Sequence, residues 1–167
     1  MAADLPPYIS ARADSGEYFI QSSRRNAPDW RYDVTEIIRN PQGAGVDPTA
    51  MFDNMSAELL QDSLAPVTRR GAEDLLKLIV SGSLFGGPDA RLIESDHVLG
   101  RSIQELLDSL GPETEYFTNH GHAEDGDDAQ FLVSAFHYNS MAVTLYDICL
   151  IAVSSDRILV AWRFEDA

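Results

Sequence analysis

The stretch from Gln130 to Glu165 limits the fold more than any other part of the chain. It reads QFLVSAFHY, then MAVTLYDICLIAV, then RILVAWRFE, three apolar runs parted by Asn139-Ser140 and by Ser154-Ser155-Asp156. β-Branched and aromatic residues dominate these runs, no glycine or proline interrupts them, and the gaps are short and polar. That pattern predicts three antiparallel strands joined as a meander. In the last run Ile158, Val160, Trp162 and Phe164 fall on one side at period two, opposite Arg157, Leu159, Ala161, Arg163 and Glu165. One face is therefore expected to be packed and the other partly wet. The middle run is apolar on both sides except at Asp147, as a central strand covered on both faces requires.

Upstream, EYFIQSS (17–23) and DWRYDVTEIIR (29–39) read as further strands with a turn at Asn26-Ala27-Pro28 between them. In the second, Trp30, Tyr32, Val34 and Ile38 share a side, and a helix over 33–39 is the competing assignment. Residues 1–14, with Pro6 and Pro7, read as an extended arm. The loop 40–48 ends in Asp47 and Pro48, a helix cap and a first helical position. Met51, Phe52, Met55, Leu59, Leu60 and Leu64 then recur at helical spacing up to Pro66, in one helix or two short ones. Thr68 is placed to cap a helix over AEDLLKLIV, apolar nearly all round and so buried. After a glycine-rich break (81–90), ARLIESDHVLG is either a short strand or a connector. Ser102 and Glu105 form a capping-box pattern for SIQELLDSL, which Gly111-Pro112 stops. TEYFTN (114–119) is a strand candidate, and 119–129 is an exposed loop. The expected fold is a single α+β domain over 1–167. Its antiparallel sheet joins the C-terminal meander to the N-terminal strands and is packed by the central helices.

Charge limits function. Twenty-seven acidic residues against 12 basic ones give a net charge of -15. This opposes binding to nucleic acid or to an anionic membrane and favours encounter with a basic partner. The basic doublets Arg24-Arg25 and Arg69-Arg70 are too few to make a nucleic-acid face. Cys149 is the sole cysteine, so an intrachain disulfide and a cysteine-rich zinc site are excluded, and its apolar setting predicts an inert buried thiol. The first residues lack the apolar stretch of a signal peptide, and no run approaches the ~18 apolar residues of a membrane span. A soluble, cytoplasmic protein is the expectation.

Motifs for chemistry are sparse. His120, His122, Glu124, Asp125, Asp127 and Asp128 form the richest cluster of ligand types. The pattern is neither HExxH nor a calcium-binding EF-hand loop, and water and salt can satisfy such carboxylates as readily as a metal. It is read as a partner-binding surface, with no metal and no cofactor assigned. GSLFGGP (82–88) has no following Lys-Ser/Thr and so is not a phosphate loop. Ser102 in LGRSI lacks the glycine pattern of a nucleophile elbow. His137, between Phe136 and Tyr138, is expected to be a hydrogen-bonded structural residue inside a strand.

In overall format the chain resembles the immunity proteins that bacteria make against secreted toxins. The resemblance spans the N-terminal strand pair, the central helices and an end built from TLYDICLIAV and RILVAWRFED, and it carries no specific motif. It is similar in kind to the actinobacterial immunity factors of secreted NAD-hydrolysing toxins. The resemblance implies a non-enzymatic inhibitor that occludes a toxin's active site, its carboxylates meeting substrate-binding cations and a few aromatic residues anchoring the contact. The partner would be a basic or cation-lined protein toxin. Two other readings stand beside it. One is a small hydrolase or metal-dependent enzyme using His97, His120 or His122 with a carboxylate; the other is a secretion chaperone or adaptor that binds an extended or helical segment.

Overall fold

Helices and strands alternate along most of the chain, yet every strand pairing is antiparallel. The structure, a computed structural model, describes residues 5–14, 16–133 and 135–166. In chain order these form α1 (Pro7–Ala13), β1 (Tyr18–Arg24), α2 (Trp30–Arg39), β2 (Ala44–Gly45), α3 (Ala57–Ser63) and β3 (Ala65–Val67). There follow α4 (Arg69–Ser81), α5 (Ala90–Glu94), α6 (His97–Asp108), β4 (Glu115–Thr118), β5 (Tyr146–Val153) and β6 (Arg157–Glu165). Short 3-10 turns occupy Thr49–Met51 and Gly121–Asp128. The sheet order is β2-β1-β6-β5-β4-β3, with helices on both faces. The α+β class and the antiparallel sheet are as the sequence predicts.

Period-two alternation in the central strands explains the two layers. Ile148, Leu150, Ala152, Leu159 and Ala161 pack with the apolar sides of α1, α4 and α6, including Ile9, Leu75, Leu76, Ile79, Ile103 and Leu107. Cys149, Ile151, Ile158, Val160, Trp162 and Phe164 pack with Val34, Ile37 and Ile38 of α2 and Leu60 of α3. Phe52 closes this second core edge-on to Trp162, at 4.8 Å between ring centres. Both faces of β6 are thus covered, where a partly wet face was expected. Arg163 and Glu165 are accommodated on it as a pair: Arg163 Nε donates to Glu165 at 2.5 Å and Nη1 donates to the Ile79 carbonyl at 3.0 Å.

Several assignments change. Among its described residues the run 130–138 forms no strand; within it Tyr138 makes a single bridge to His120. The position beside β5 is taken by β4, whose Glu115–Thr118 pairs with Leu150–Val153. Beyond Thr118 the Asn119 side chain carries on the ladder: it accepts from Cys149 N at 2.9 Å and donates to the Asp147 carbonyl at 2.9 Å. Residues 30–39 are helical, because Val34, Ile37 and Ile38 reach the core at helical spacing. Asp29 caps that helix at Arg31 N, and Asp33 accepts from Asn26 N at 2.8 Å, so the supposed hairpin turn is a helix lead-in. The part of the arm that is described is α1, with Pro7 at its start and Ile9 buried; residues 1–4 lie outside the described residues. ARLIESDHVLG is neither short strand nor connector but α5 and the start of α6. Helix α6 begins at His97, five residues ahead of Ser102, because Asp96 caps it at Leu99 N (3.0 Å) and Leu99 extends its buried stripe; Ser102 is interior. The helical stripe before Pro66 resolves into the turn at 49–51, α3 and edge strand β3.

Candidate partner-binding surface

Residues 119–145, between β4 and β5, contain no α-helix and no strand among those described. A connection this long with little more than the 3-10 turn at Gly121–Asp128 as regular structure is uncommon in a compact fold, and such connections are commonly functional loops or linkers. This one is held by buried polar groups. Asp147, at the start of β5 and fully buried, accepts from Trp162 Nε1 at 3.0 Å, Met141 N at 3.2 Å, Asn119 Nδ2 at 3.2 Å and Ser140 Oγ at 3.3 Å. Burial raises the carboxyl's pKa, while the Trp162, Met141 and Ser140 donors oppose the rise. Asn139 ties the same segment to α3 through the Ser63 carbonyl at 3.0 Å. The one charged residue of the middle run is therefore the clasp that fixes the segment.

At the segment's other end His120 is 1% exposed, stacked on Phe136 at 4.4 Å and edge-on to Phe131 at 4.9 Å. Its Nδ1 accepts from His122 N at 3.1 Å, so the proton of the neutral ring sits on Nε2, which has no partner among the described residues. Burial, together with the nearby His122 and His137, lowers its pKa to about 3. A Cβ at Gly121 would stand where the largely exposed His137 ring lies, so a larger residue there would displace that ring. His122 meets the Gln130 carbonyl at 2.7 Å.

The acidic residues behave differently. Glu124, Asp125, Asp127 and Asp128 are exposed on the 3-10 turn, and Gly126 at φ 63° bends the backbone between them. Glu124 approaches His137 at 4.0 Å, whereas Asp125, Asp127 and Asp128 have no ion-pair partner among the described residues. His137 is largely exposed there and is not part of a strand. Of the six predicted site residues, four carboxylates thus share one exposed turn, His122 is half-buried in the same turn, and His120 is buried beside it. Among the described residues no three His, Cys, Asp or Glu side chains are grouped to hold a metal ion. Cys149 is buried, and burial pushes its thiol pKa well up, away from nucleophilic use.

From His120 a row of rings runs across the same face of the sheet. Phe136 lies 6.1 Å from Tyr138, Tyr138 lies 6.3 Å from Tyr146, and Tyr146 lies 6.1 Å from Phe85. Phe85 and Leu145 at its far end are 62% and 63% exposed. Phe85 is held there because Glu165 accepts from Leu84 N at 2.8 Å and Phe85 N at 3.2 Å. Burial alone would raise the pKa of Glu165, but Arg163 and these two N–H groups hold it below the ordinary value. Leu145 N donates to Asp166 at 3.0 Å, which brings a carboxylate next to Leu145. Chemically this surface offers apolar and aromatic contact flanked by negative charge. Sequence reasoning found the acidic turn and missed the aromatic row, since Phe85 and Tyr146 are separated by about 60 positions and no local pattern joins them.

No family model, no curated protein and no solved structure matches this chain. No helix among the described residues is long and apolar enough to cross a membrane.

Proposed function

We propose that the protein is a binding module that captures a basic protein and neutralises it by covering a functional face, in the manner of an immunity protein against a secreted toxin. The observation that carries this reading is the exposed carboxylate turn Glu124–Asp128, whose Asp125, Asp127 and Asp128 have no ion-pair partner among the described residues, on a chain of net charge -15 and in one surface segment with Phe136 and Tyr138 of the aromatic row. Negative charge at the rim steers a basic partner and raises its on-rate, while desolvated aromatic side chains supply most of the affinity. Phe85, Tyr146 and Leu145 are the anchors in this reading, and Asp125, Asp127 and Asp128 are the steering charges. The buried clasp at Asp147 is what makes so long a segment rigid enough to bind without a large ordering cost.

The test compares wild type with a variant carrying Asp125→Asn, Asp127→Asn and Asp128→Asn. Each tagged protein is exposed at low salt to lysate of the native host, and the eluate is read by native mass spectrometry. The expected result is one folded basic protein bound stoichiometrically to wild type and lost as salt rises. The purified pair should then associate more slowly through the variant, with a flatter salt dependence and an unchanged Tm. Equal association rates for both forms remove the turn from the contact. A free chain carrying a metal or small molecule instead of a protein supports the enzyme reading.

A further inference from the structure

A recess lies in the helical layer on the same side of the sheet as the aromatic row. It is a groove of about 790 Å³ between α4 and α6, with Glu94 of α5 also in its lining. Its floor includes Ile103 and Gly100, and its walls present Glu73, Glu94, Asp96, Glu105 and Asp108 against Lys77 and Arg101. At one end the walls are already joined: Arg69 reaches Asp108 at 2.9 Å and Glu73 at 3.4 Å, and Gln104 donates to Glu73. Elsewhere in the lining Glu94, Glu105 and Arg101 have no ion-pair partner among the described residues.

Gly100 is the informative residue. It sits within α6, where glycine is a poorer helix former than alanine, yet a Cβ built on it would meet nothing within 4 Å. Its backbone lies in the ordinary helical region, so the turn of the chain does not ask for glycine either. Neither packing nor backbone geometry explains it, and what a missing side chain provides here is close approach to the backbone from outside. Helix α6 is roughly 18 Å long at about 1.5 Å per residue, room for about three turns of a partner lying along it. We infer that this groove receives a basic helix of the partner, packed across α6 at Gly100 with Arg or Lys side chains reaching Glu94 and Glu105. A helix seated there would add a third member to the α4–α6 pair, in the helix-in-groove mode. The inference rests on the basic-partner reading above and adds a defined segment of that partner to it.

The probe is an alanine-based helical peptide of about sixteen residues, long enough to hold helix in water, with arginines four apart on one side. A control of the same composition has its arginines distributed around the helix. Both are titrated into the 15N-labelled protein. The expected result is saturable shift changes centred on Gly100, Gln104, Lys77 and Glu94 for the one-sided peptide, at least about fivefold tighter than for the control. Gly100→Ala should raise Tm by about 2–4 °C through helix propensity while weakening the peptide at least about tenfold, a pairing that a merely structural glycine cannot produce. Glu94→Gln with Glu105→Gln, both on the exposed rim, should weaken it about three- to tenfold and reduce its salt dependence. Shift changes centred on residues 124–128 instead would overturn the groove and leave the basic-partner reading intact. Equal binding of the two peptides, or of wild type and Gly100→Ala, also overturns it. No binding at either place counts against both.

Discussion

His120 and Asp147 are the two buried residues on which the candidate surface depends, and they titrate in opposite senses. His120 has a pKa of about 3 in the fold against 6.5 unperturbed, so between those values the unfolded chain binds a proton that the folded chain does not. Its contribution is therefore intact above about pH 6.5 and is lost as pH falls, by up to about 1.4 kcal/mol per pH unit. Asp147 is shifted upward, so the fold retains a proton at pH values where the unfolded carboxyl has released it, and its contribution falls as pH rises through that window. Comparison of wild type with His120→Asn, which keeps an acceptor for His122 N, isolates the histidine. Urea melts at pH 7 and pH 5 should show wild type losing up to about 2 kcal/mol more than the variant over that range. Equal losses would mean that the ring is not held neutral. Asp147→Ala, by orphaning Trp162 Nε1 and Met141 N, should cost about 2–4 kcal/mol in the same melts. The sequence marks Asp147 as the exception in an apolar run, but the donors that explain it come from positions 119, 140, 141 and 162, which only folding brings together.

Among the elements, those whose apolar spacing is matched by local caps are legible in the sequence. Thr68 caps α4 at Gly71 N as its position suggests, and β1, β4 and the β5–β6 hairpin lie close to where the alternation places them. Helix α2 escapes such a reading because Trp30, Tyr32 and Val34 alternate well enough for a strand; the decision falls to Ile37 and Ile38, which reach the core together only on a helix. The run 130–138 fails for another reason. Its composition suits a strand, but β4 and the Asn119 side chain already fill the hydrogen-bonding edge of β5, so no partner edge remains for it. The loop carrying Phe85 depends on an element far away in sequence, the end of β6. Glu165→Ala should remove the acceptor of Leu84 N and Phe85 N and leave Arg163 partly unpaired, costing about 2–3 kcal/mol. Hydrogen exchange should then show lost protection at 84–85 with β5 and the first residues of β6 unchanged. Retained protection at 84–85 would show that the loop is held by something other than Glu165.

At the scale of the whole molecule, charge governs both stability and association. A net charge of -15 makes the folded chain repel itself, and salt screens that repulsion over a Debye length of about 10 Å at 0.1 M. Raising sodium chloride from about 0.01 to 0.3 M, across which the screening length falls from about 30 to under 10 Å, should therefore raise Tm measured by calorimetry. The same change should weaken association with a basic partner. A Tm that fell with salt would show that the ion pairs, such as Arg69 with Asp108, outweigh the repulsion. Composition and periodicity by themselves determined the charge, the α+β class, the covered central strand and the exposed acidic turn, because each is a local or summed property of the side chains. Only the tertiary structure decided which strand lies beside β5, that Asp147 clasps the 119–145 segment, and that Phe85 joins Tyr146 at its end. Those outcomes depend on which hydrogen-bonding edges and buried donors meet across long stretches of chain, a competition that no local spacing records.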